Sequence, residues 1–209
     1  MIISPELQKW QSFGKKYNLT EEQLKLFSKY AALLQEWNQK INLTRIIKTE
    51  DIIDYHFDDS LSVTNFVDFN NLKTVCDVGT GAGFPGIPIK IMYPNLKVIL
   101  IEVVQKKIIF LNDVIKEFKL DNIEVCSLDW RTFLRKTSYK IDLFCARASL
   151  HTDELLRIFS SDSMYKIDSN LIYWASYNWE PNTDDLIYLK KEGTYEVGDK
   201  KRKLIFFGK

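Results

Sequence analysis

Residues 77–86 read DVGTGAGFPG and place Gly79, Gly81, Gly83 and Gly86, four of the chain's eight glycines, within eight positions. An apolar run, TVCDV, precedes them and IPIKI follows, so the glycines sit where a short strand gives way to a helix, with Pro85 and Pro88 suited to its first turn. Glycine at this density means that the backbone takes conformations side chains resist, or that something approaches too closely for a Cβ. At such a junction backbone N–H groups and the positive helix end face the crevice outside the carboxyl ends of a parallel sheet. The run predicts a strand, loop and helix with a nucleotide-like ligand lying against the loop.

The remaining chain divides at about residue 70. Beyond it, the short apolar runs TVCDV, KVILIE, IEVCSL, IDLFCA and NLIYWA are separated by helical patterns such as Lys107 to Phe118. Strand alternating with helix predicts βαβ units and a mostly parallel α/β sheet. The tail, TYEVGDKKRKLIFF, reads as two strands joined by a charged turn, a C-terminal antiparallel hairpin at the sheet edge. Before residue 70 the pattern is helical. Thr20 with Gln23 forms a capping box, and Leu24, Phe27, Ala31, Leu34, Trp37 and Ile41 recur at steps of three and four. Thr49, Glu50 and Asp51 open another helix, with Ile52, Ile53, His56, Phe57 and Leu61 toward one side. The expected organisation is an N-terminal helical subdomain, 1–69, and a Rossmann-like domain, 70–209, in one compact unit.

Composition narrows the partners. With 29 Lys and Arg against 28 Asp and Glu, the net charge of +1 excludes a global polyanion-binding surface, so any nucleic-acid contact has to be a local patch. The three cysteines, Cys76, Cys126 and Cys145, all fall inside apolar runs and are expected to be buried thiols rather than disulfide partners or metal ligands. The opening MIISPELQKW carries charge too early for a signal peptide, and no apolar stretch approaches the ~20 residues of a membrane span. A cytoplasmic protein with no membrane partner, and a monomer, is the expectation.

Gly81, Gly83 and Gly86 satisfy G-x-G-x-x-G, and Glu102 closes the second strand where a dinucleotide enzyme binds ribose hydroxyls. Asp77, before the first glycine, argues against NAD: a strand-end carboxylate opposes a diphosphate and attracts an ammonium or sulfonium. S-adenosyl-L-methionine carries both cations, has no phosphate and keeps a ribose for Glu102. The pattern resembles the nucleotide-binding signature of class I methyltransferases, which place an acid and an apolar residue against adenine near Asp129 and Trp130. For Asp129 a helix N-cap stands as the alternative.

DVGTGAGFPGIPIKI, together with WNQKINLT at 37–44, HFDDS at 56–60 and ARA at 146–148, resembles the family of bacterial 16S ribosomal RNA guanine-N7 methyltransferases once called glucose-inhibited division protein B. The resemblance implies a Rossmann-like class I methyltransferase sheet, S-adenosyl-L-methionine as donor, and the 16S rRNA of the 30S subunit as substrate. It implies a cofactor site drawn from Asp77, Gly79, Thr80, Gly81, Gly83, Phe84, Glu102, Asp129, Trp130 and Arg147, with Arg147 near the reaction centre as the catalytic residue. Two stretches depart from the family's pattern. Asp129, Trp130 and Arg131 stand where Arg-Ala-Glu is common, and Ala175, Ser176 and Tyr177 where Leu-Lys-Gly is common, which leaves Tyr177, Trp179 or Lys191 to make the contacts of the absent lysine.

The chain has only His56 and His151, no HExxH, no serine nucleophile elbow and no Walker lysine, so hydrolysis and phosphoryl transfer have no visible machinery. Arg147 could orient a guanine through O6; a salt bridge with Asp142 or Asp153 is its structural alternative, while His56 and Asp59 are expected to hold the N-terminal helices on the sheet. The candidate RNA contacts are Lys15–Lys16, Lys106–Lys107, Arg131, Arg135–Lys136 and Lys200 to Lys203. The competing functions are a dinucleotide oxidoreductase, a methyltransferase for a small molecule or protein, and a non-catalytic ribosome-binding module.

Overall fold

The computed structural model describes residues 4–209; Met1 to Ile3, the start of the segment that bears on a signal peptide, lie outside the described residues. Three helical segments come first. α1 (Pro5–Lys16) is capped by Ser4, and α2 (Glu21–Asn38) opens with the Thr20/Gln23 capping box. α2 stops at Asn38 rather than running to Ile41, because the Asn38 side chain turns the chain: its Oδ1 accepts from the N–H groups of Leu43 at 2.7 Å and Thr44 at 2.9 Å. α3 (Thr49–Ile52), a π-helical stretch (Ile53–Asp58) and α4 (Asp59–Leu61) follow without a break. Thr49 is the first helical residue, as expected, and Lys48 holds the cap position with no side-chain bond.

Seven strands form one sheet: β1 (Thr74–Val78), β2 (Lys97–Ile101), β3 (Ile123–Cys126), β4 (Leu143–Arg147), β5 (Asn170–Ser176), β6 (Leu189–Val197) and β7 (Lys200–Phe207), in the order β3-β2-β1-β4-β5-β7-β6. The first five are parallel and the last two antiparallel. α5 (Gly86–Met92), α6 (Gln105–Glu117), α7 (Trp130–Lys136) and α8 (Thr152–Leu155) fill the crossovers, and α9 (Thr183–Leu186) precedes the hairpin. β6 starts five residues before TYEV, at Leu189; its Lys190, Lys191 and Glu192 mask the strand pattern and suit an edge that must not pair with another chain.

Alternation along the strands sorts side chains to two cores. Val75, Leu100, Cys145 and Ile172 pack with Phe13, Phe27, Tyr30 and Phe57 from the N-terminal helices, while Cys76, Ile99, Phe144 and Leu171 pack with α7 and the segment after β4. All three cysteines are free. No helix among the described residues is long and apolar enough to cross a membrane. The strand order reverses between β1 and β4, which opens a crevice at their carboxyl ends.

Candidate active site

The glycine loop leaves β1 at that crevice, and several of its donors go to the protein's own acceptors. Thr80 Oγ1 donates to Asp77 Oδ2 at 2.6 Å and the Gly86 N–H to the same oxygen at 2.8 Å. The Gly81 N–H donates to Glu102 Oε2 at 3.1 Å, and the N–H groups of Gly83 and Phe84 close on the Thr80 carbonyl at 2.9 and 3.0 Å. In the first turn of α5 Ile87 bonds Gly83, Ile89 bonds Pro85, and Pro88 has no N–H to offer. Of the loop's N–H groups, those of Gly79 and Ala82 have no acceptor among the described residues, and Gly79 lines the cleft described below. Two carboxylates within reach of the loop, Asp77 and Glu102, take donors that would otherwise bind an anion.

The fold itself also requires glycine at two of these positions. A Cβ on Gly83, at φ +92°, would strike the Tyr30 hydroxyl and Ile87. Gly81, at φ +62°, has open space where a Cβ would sit, and its left-handed backbone favours glycine.

Acceptors remain. Asp77 is fully buried, and its Oδ1 has no partner; Ser149 Oγ, on the loop after β4, is also buried without one. Burial pushes the Asp77 carboxyl up to about 6, against the opposing bonds from Thr80 and Gly86 and the charge of Arg147. Glu102 Oε1 accepts from the N–H groups of Val103 and Val104, each at 2.9 Å, and Lys107 Nζ lies 3.8 Å from Oε2. These bonds fix the carboxylate at the edge of a cleft of about 440 Å³, within the size range of small-molecule sites.

Gly79, Glu102, Asp129 and Trp130 line this cleft with Ile101, Val103, Arg131 and the segment Ala148 to Leu150, closed by Glu154. Asp77, Thr80, Gly81, Gly83, Phe84 and Arg147 do not line it. Asp129 caps α7, bonding Thr132 N–H at 3.0 Å and Thr132 Oγ1 at 2.7 Å, which holds its carboxyl below the usual range. Trp130 is buried against Phe133 and Phe144 and donates from Nε1 to the Glu154 carbonyl at 2.9 Å. Ser149, Leu150 and Glu154 were not among the expected site residues. Their only sequence signal is their place after a strand at the switch point, near Ala148 at φ +51°.

Arg147 points toward the N-terminal helices. Its Nη1 donates to Asp59 Oδ2 at 2.7 Å and the Tyr55 carbonyl at 3.0 Å, its Nη2 to His56 Nδ1 at 3.1 Å, and its Cζ lies 5.3 Å from the Phe84 ring centre. Arginine can only donate, so His56 Nδ1 accepts and Nε2 carries the proton, toward Thr44 Oγ1 at 2.9 Å. Burial and the Arg147 charge lower His56 to about 3, so the ring is neutral. It stacks on Phe84 at 4.3 Å and 8°. The other Asp59 oxygen takes the Tyr195 hydroxyl at 2.6 Å, and its main-chain carbonyl takes Trp174 Nε1 at 2.9 Å. The salt-bridge partner of Arg147 is thus Asp59, neither Asp142 nor Asp153; Asp142 instead accepts from the N–H groups of Lys73 and Thr74. WNQKINLT and HFDDS meet here, the first delivering Thr44 to His56 and the second delivering His56 and Asp59 to Arg147.

Several expected RNA contacts are occupied within the chain. Lys16 pairs with Asp58 at 2.6 Å, Arg202 approaches Asp59 at 3.7 Å, Lys203 pairs with Glu192 at 3.2 Å, and Lys200 covers Tyr55. Arg131 is forked onto Glu154 at 2.8 and 2.9 Å. Trp179 packs on Tyr173 and Phe207, Lys191 lies over Phe206, and Tyr177 is half exposed beside Lys203, so none of the three lines the cleft.

A parallel sheet reversing at β1/β4, an antiparallel end, a glycine loop over a strand-end acid and a second acid closing β2 define the class I methyltransferase fold. Solved structures of that kind share it: the M. capricolum TrmK complex with S-adenosyl-homocysteine superposes with a TM-score of 0.55 at 19% identity, over 72% of this chain and 67% of that one. The delta-N METTL16 MTase domain gives 0.59 at 13% identity, over 88% and 94%. Residues 23–175 match the GidB family, described as rRNA small subunit methyltransferase G, and the chain belongs to that family. Proteins named Ribosomal RNA small subunit methyltransferase G are 43% identical over 136 residues in Macrococcus caseolyticus and 40% over 136 in Bacillus subtilis, each match covering 64% of this chain and 57% of the relative. The Clostridium tetani protein of the same name is 51% identical over 104 residues, 50% of this chain and 44% of the relative. The matched region thus spans about half the length of these relatives.

Proposed function

We propose that this chain binds S-adenosyl-L-methionine and transfers its methyl group to N7 of a guanine in the 16S rRNA of the small ribosomal subunit. The observation that carries the donor assignment is the pair of carboxylates at the loop: Asp77 and Glu102 take the Gly86 and Gly81 N–H groups and the Thr80 hydroxyl, and set negative charge at and beneath the cleft edge. Such a site suits a ligand with cations and hydroxyls and disfavours a diphosphate, which removes the footing of the oxidoreductase reading. Membership of the GidB family supports the RNA substrate.

In this reading Glu102 takes the ribose hydroxyls and Ile101, Val103 and Trp130 supply apolar surface beside the adenine. Residues 1–69 serve as a helical subdomain that fixes the carboxyl edge of domain 70–209. Asp77 acts from beneath the loop, by holding Thr80 and Gly86 and by its charge. Arg147, clamped by Asp59 and His56, positions the acceptor side of the site. The bound donor supplies an electrophilic methyl on a sulfonium. N7 has a lone pair and no proton, so no residue has to act as a base, and the chain contributes orientation and electrostatics.

Tritiated S-adenosylmethionine incubated with 30S particles and with total RNA tests the proposal: label is expected in 16S rRNA at guanine N7, and protein that binds the donor yet labels no RNA would refute it. At saturating substrates the single-turnover rate constant should stay flat between about pH 6 and 9. A tenfold rise per pH unit near neutrality would assign an acceptor that loses a proton. Glu102→Ala should weaken S-adenosylmethionine binding by about 1 to 3 kcal/mol, read by calorimetry, because hydroxyl bonds to a carboxylate are charge-assisted.

A further inference from the structure

Beside the cleft, Arg131, Arg135 and Arg157 surround a second concavity of about 280 Å³, completed by Ser160, Ser163 and Asp162. Arg131 borders both hollows, so the two adjoin. Glu154 orders two of these cations: its Oε1 accepts from Arg131 Nε at 2.8 Å, and its Oε2 from Arg131 Nη2 at 2.9 Å and Arg157 Nε at 3.0 Å. Those bonds leave Arg131 Nη1 and both terminal nitrogens of Arg157 without an acceptor among the described residues. Arg135, in the last turn of α7, makes no hydrogen bond or ion pair among the described residues. Ser163 Oγ already accepts from the Tyr165 N–H, and Asp162 accepts from the Ser161 hydroxyl.

We infer that this concavity, beside the donor cleft, holds a backbone phosphate of the RNA substrate; the inference rests on the methyltransferase reading above. Three arginines against Glu154 and Asp162 leave one positive charge, which one phosphodiester neutralises, on a chain whose whole net charge is +1. Guanidinium forks held in place by a shared carboxylate match phosphate oxygens and lose little freedom on binding. Phosphate contacts set register and carry no sequence information, so the subsite would orient the strand while the Arg147 side of the site receives the base. On the hairpin, Lys203 pairs with Glu192 and Arg202 lies against Asp59, so these two cations are answered within the chain.

The test is the Arg135→Ala/Arg157→Ala double variant, with Arg135→Glu as a single surface substitution that keeps Arg157 on Glu154 should the double variant fold poorly. Affinity for 30S subunits, measured by co-sedimentation from 50 to 200 mM KCl, should fall about tenfold for the double variant, and its log–log salt slope should become shallower by about one. KM for 30S subunits should rise with kcat nearly unchanged, and S-adenosylmethionine affinity should stay within twofold of the parent. Unchanged 30S affinity and slope in variants that bind the donor would overturn the phosphate subsite while the parent still methylates RNA. A parent that binds the donor but neither binds nor labels 30S would instead overturn the methyltransferase reading, and the subsite with it.

Discussion

Replacing Asp59 by alanine is expected to lower the melting temperature by roughly 10 °C, the largest stability loss of any single change at the site. The carboxylate is buried and joins segments far apart in the chain: Arg147 at the end of β4, Tyr195 on β6 and Arg202 on β7. Removing it leaves the Arg147 guanidinium, which is 12% exposed and already has an unpartnered Nε, without its anion. Stranding a buried charge costs about 3 to 5 kcal/mol, and each kcal/mol moves the midpoint by about 2 to 4 °C in a chain of this size. Calorimetry on Asp59→Ala, Arg147→Ala and the double variant checks the pairing. The double variant should be less destabilised than the two singles added together, and strict additivity would show that the two groups do not support one another. The same clamp bears on activity. Arg147→Ala should lower methyl transfer to 30S by 10- to 100-fold through lost orientation with donor affinity within about threefold, since Arg147 does not line the donor cleft.

Asp77→Asn should separate function from stability. Its carboxyl sits near 6 in the folded chain against an ordinary value of 3.8, so as pH rises the unfolded chain releases this proton first. The group's contribution to stability is therefore present below about pH 4 and is lost as pH climbs to about 6. The loss is about 3 kcal/mol, from roughly two pKa units at 1.36 kcal/mol each. His56 has the opposite slope. It stays neutral in the fold down to about 3 although the unfolded ring charges near 6.5, so its contribution is present above 6.5 and is lost as pH falls. Between about pH 4 and 6 the two groups cancel in the parent protein. Urea titrations at pH 4 and 7 should show the parent gaining about 3 kcal/mol over Asp77→Asn on acidification, and parallel curves would mean that the buried carboxyl does not titrate. At pH 7 the same variant should bind S-adenosylmethionine at least tenfold more weakly, because a neutral amide replaces the charge beneath the loop. In the parent, donor affinity should rise with pH through about 6 as Asp77 ionises.

The parallel sheet, the glycine loop and the hairpin were legible in the sequence because each rests on a local rule. Alternating short apolar runs have to pair, glycine tolerates the left-handed backbone at Gly81, and an acid at the end of a second strand lands beside the loop whatever the connections do. WNQKINLT and HFDDS were legible as motifs but not as a mechanism. Nothing near them in sequence says that Thr44 will reach His56 or that Asp59 will reach an arginine 88 residues away, since those contacts exist only once the helices are laid on the sheet. Tertiary structure also decided the electrostatics. An Asp before three glycines reads as a carboxylate facing a ligand, yet burial placed Asp77 under the loop, where it takes the Thr80 hydroxyl and the Gly86 N–H. The sequence alone determined which residue types could meet, by periodicity and chain reversal. Which of them did meet, and with what charge, depended on the distances and the loss of water that packing imposes.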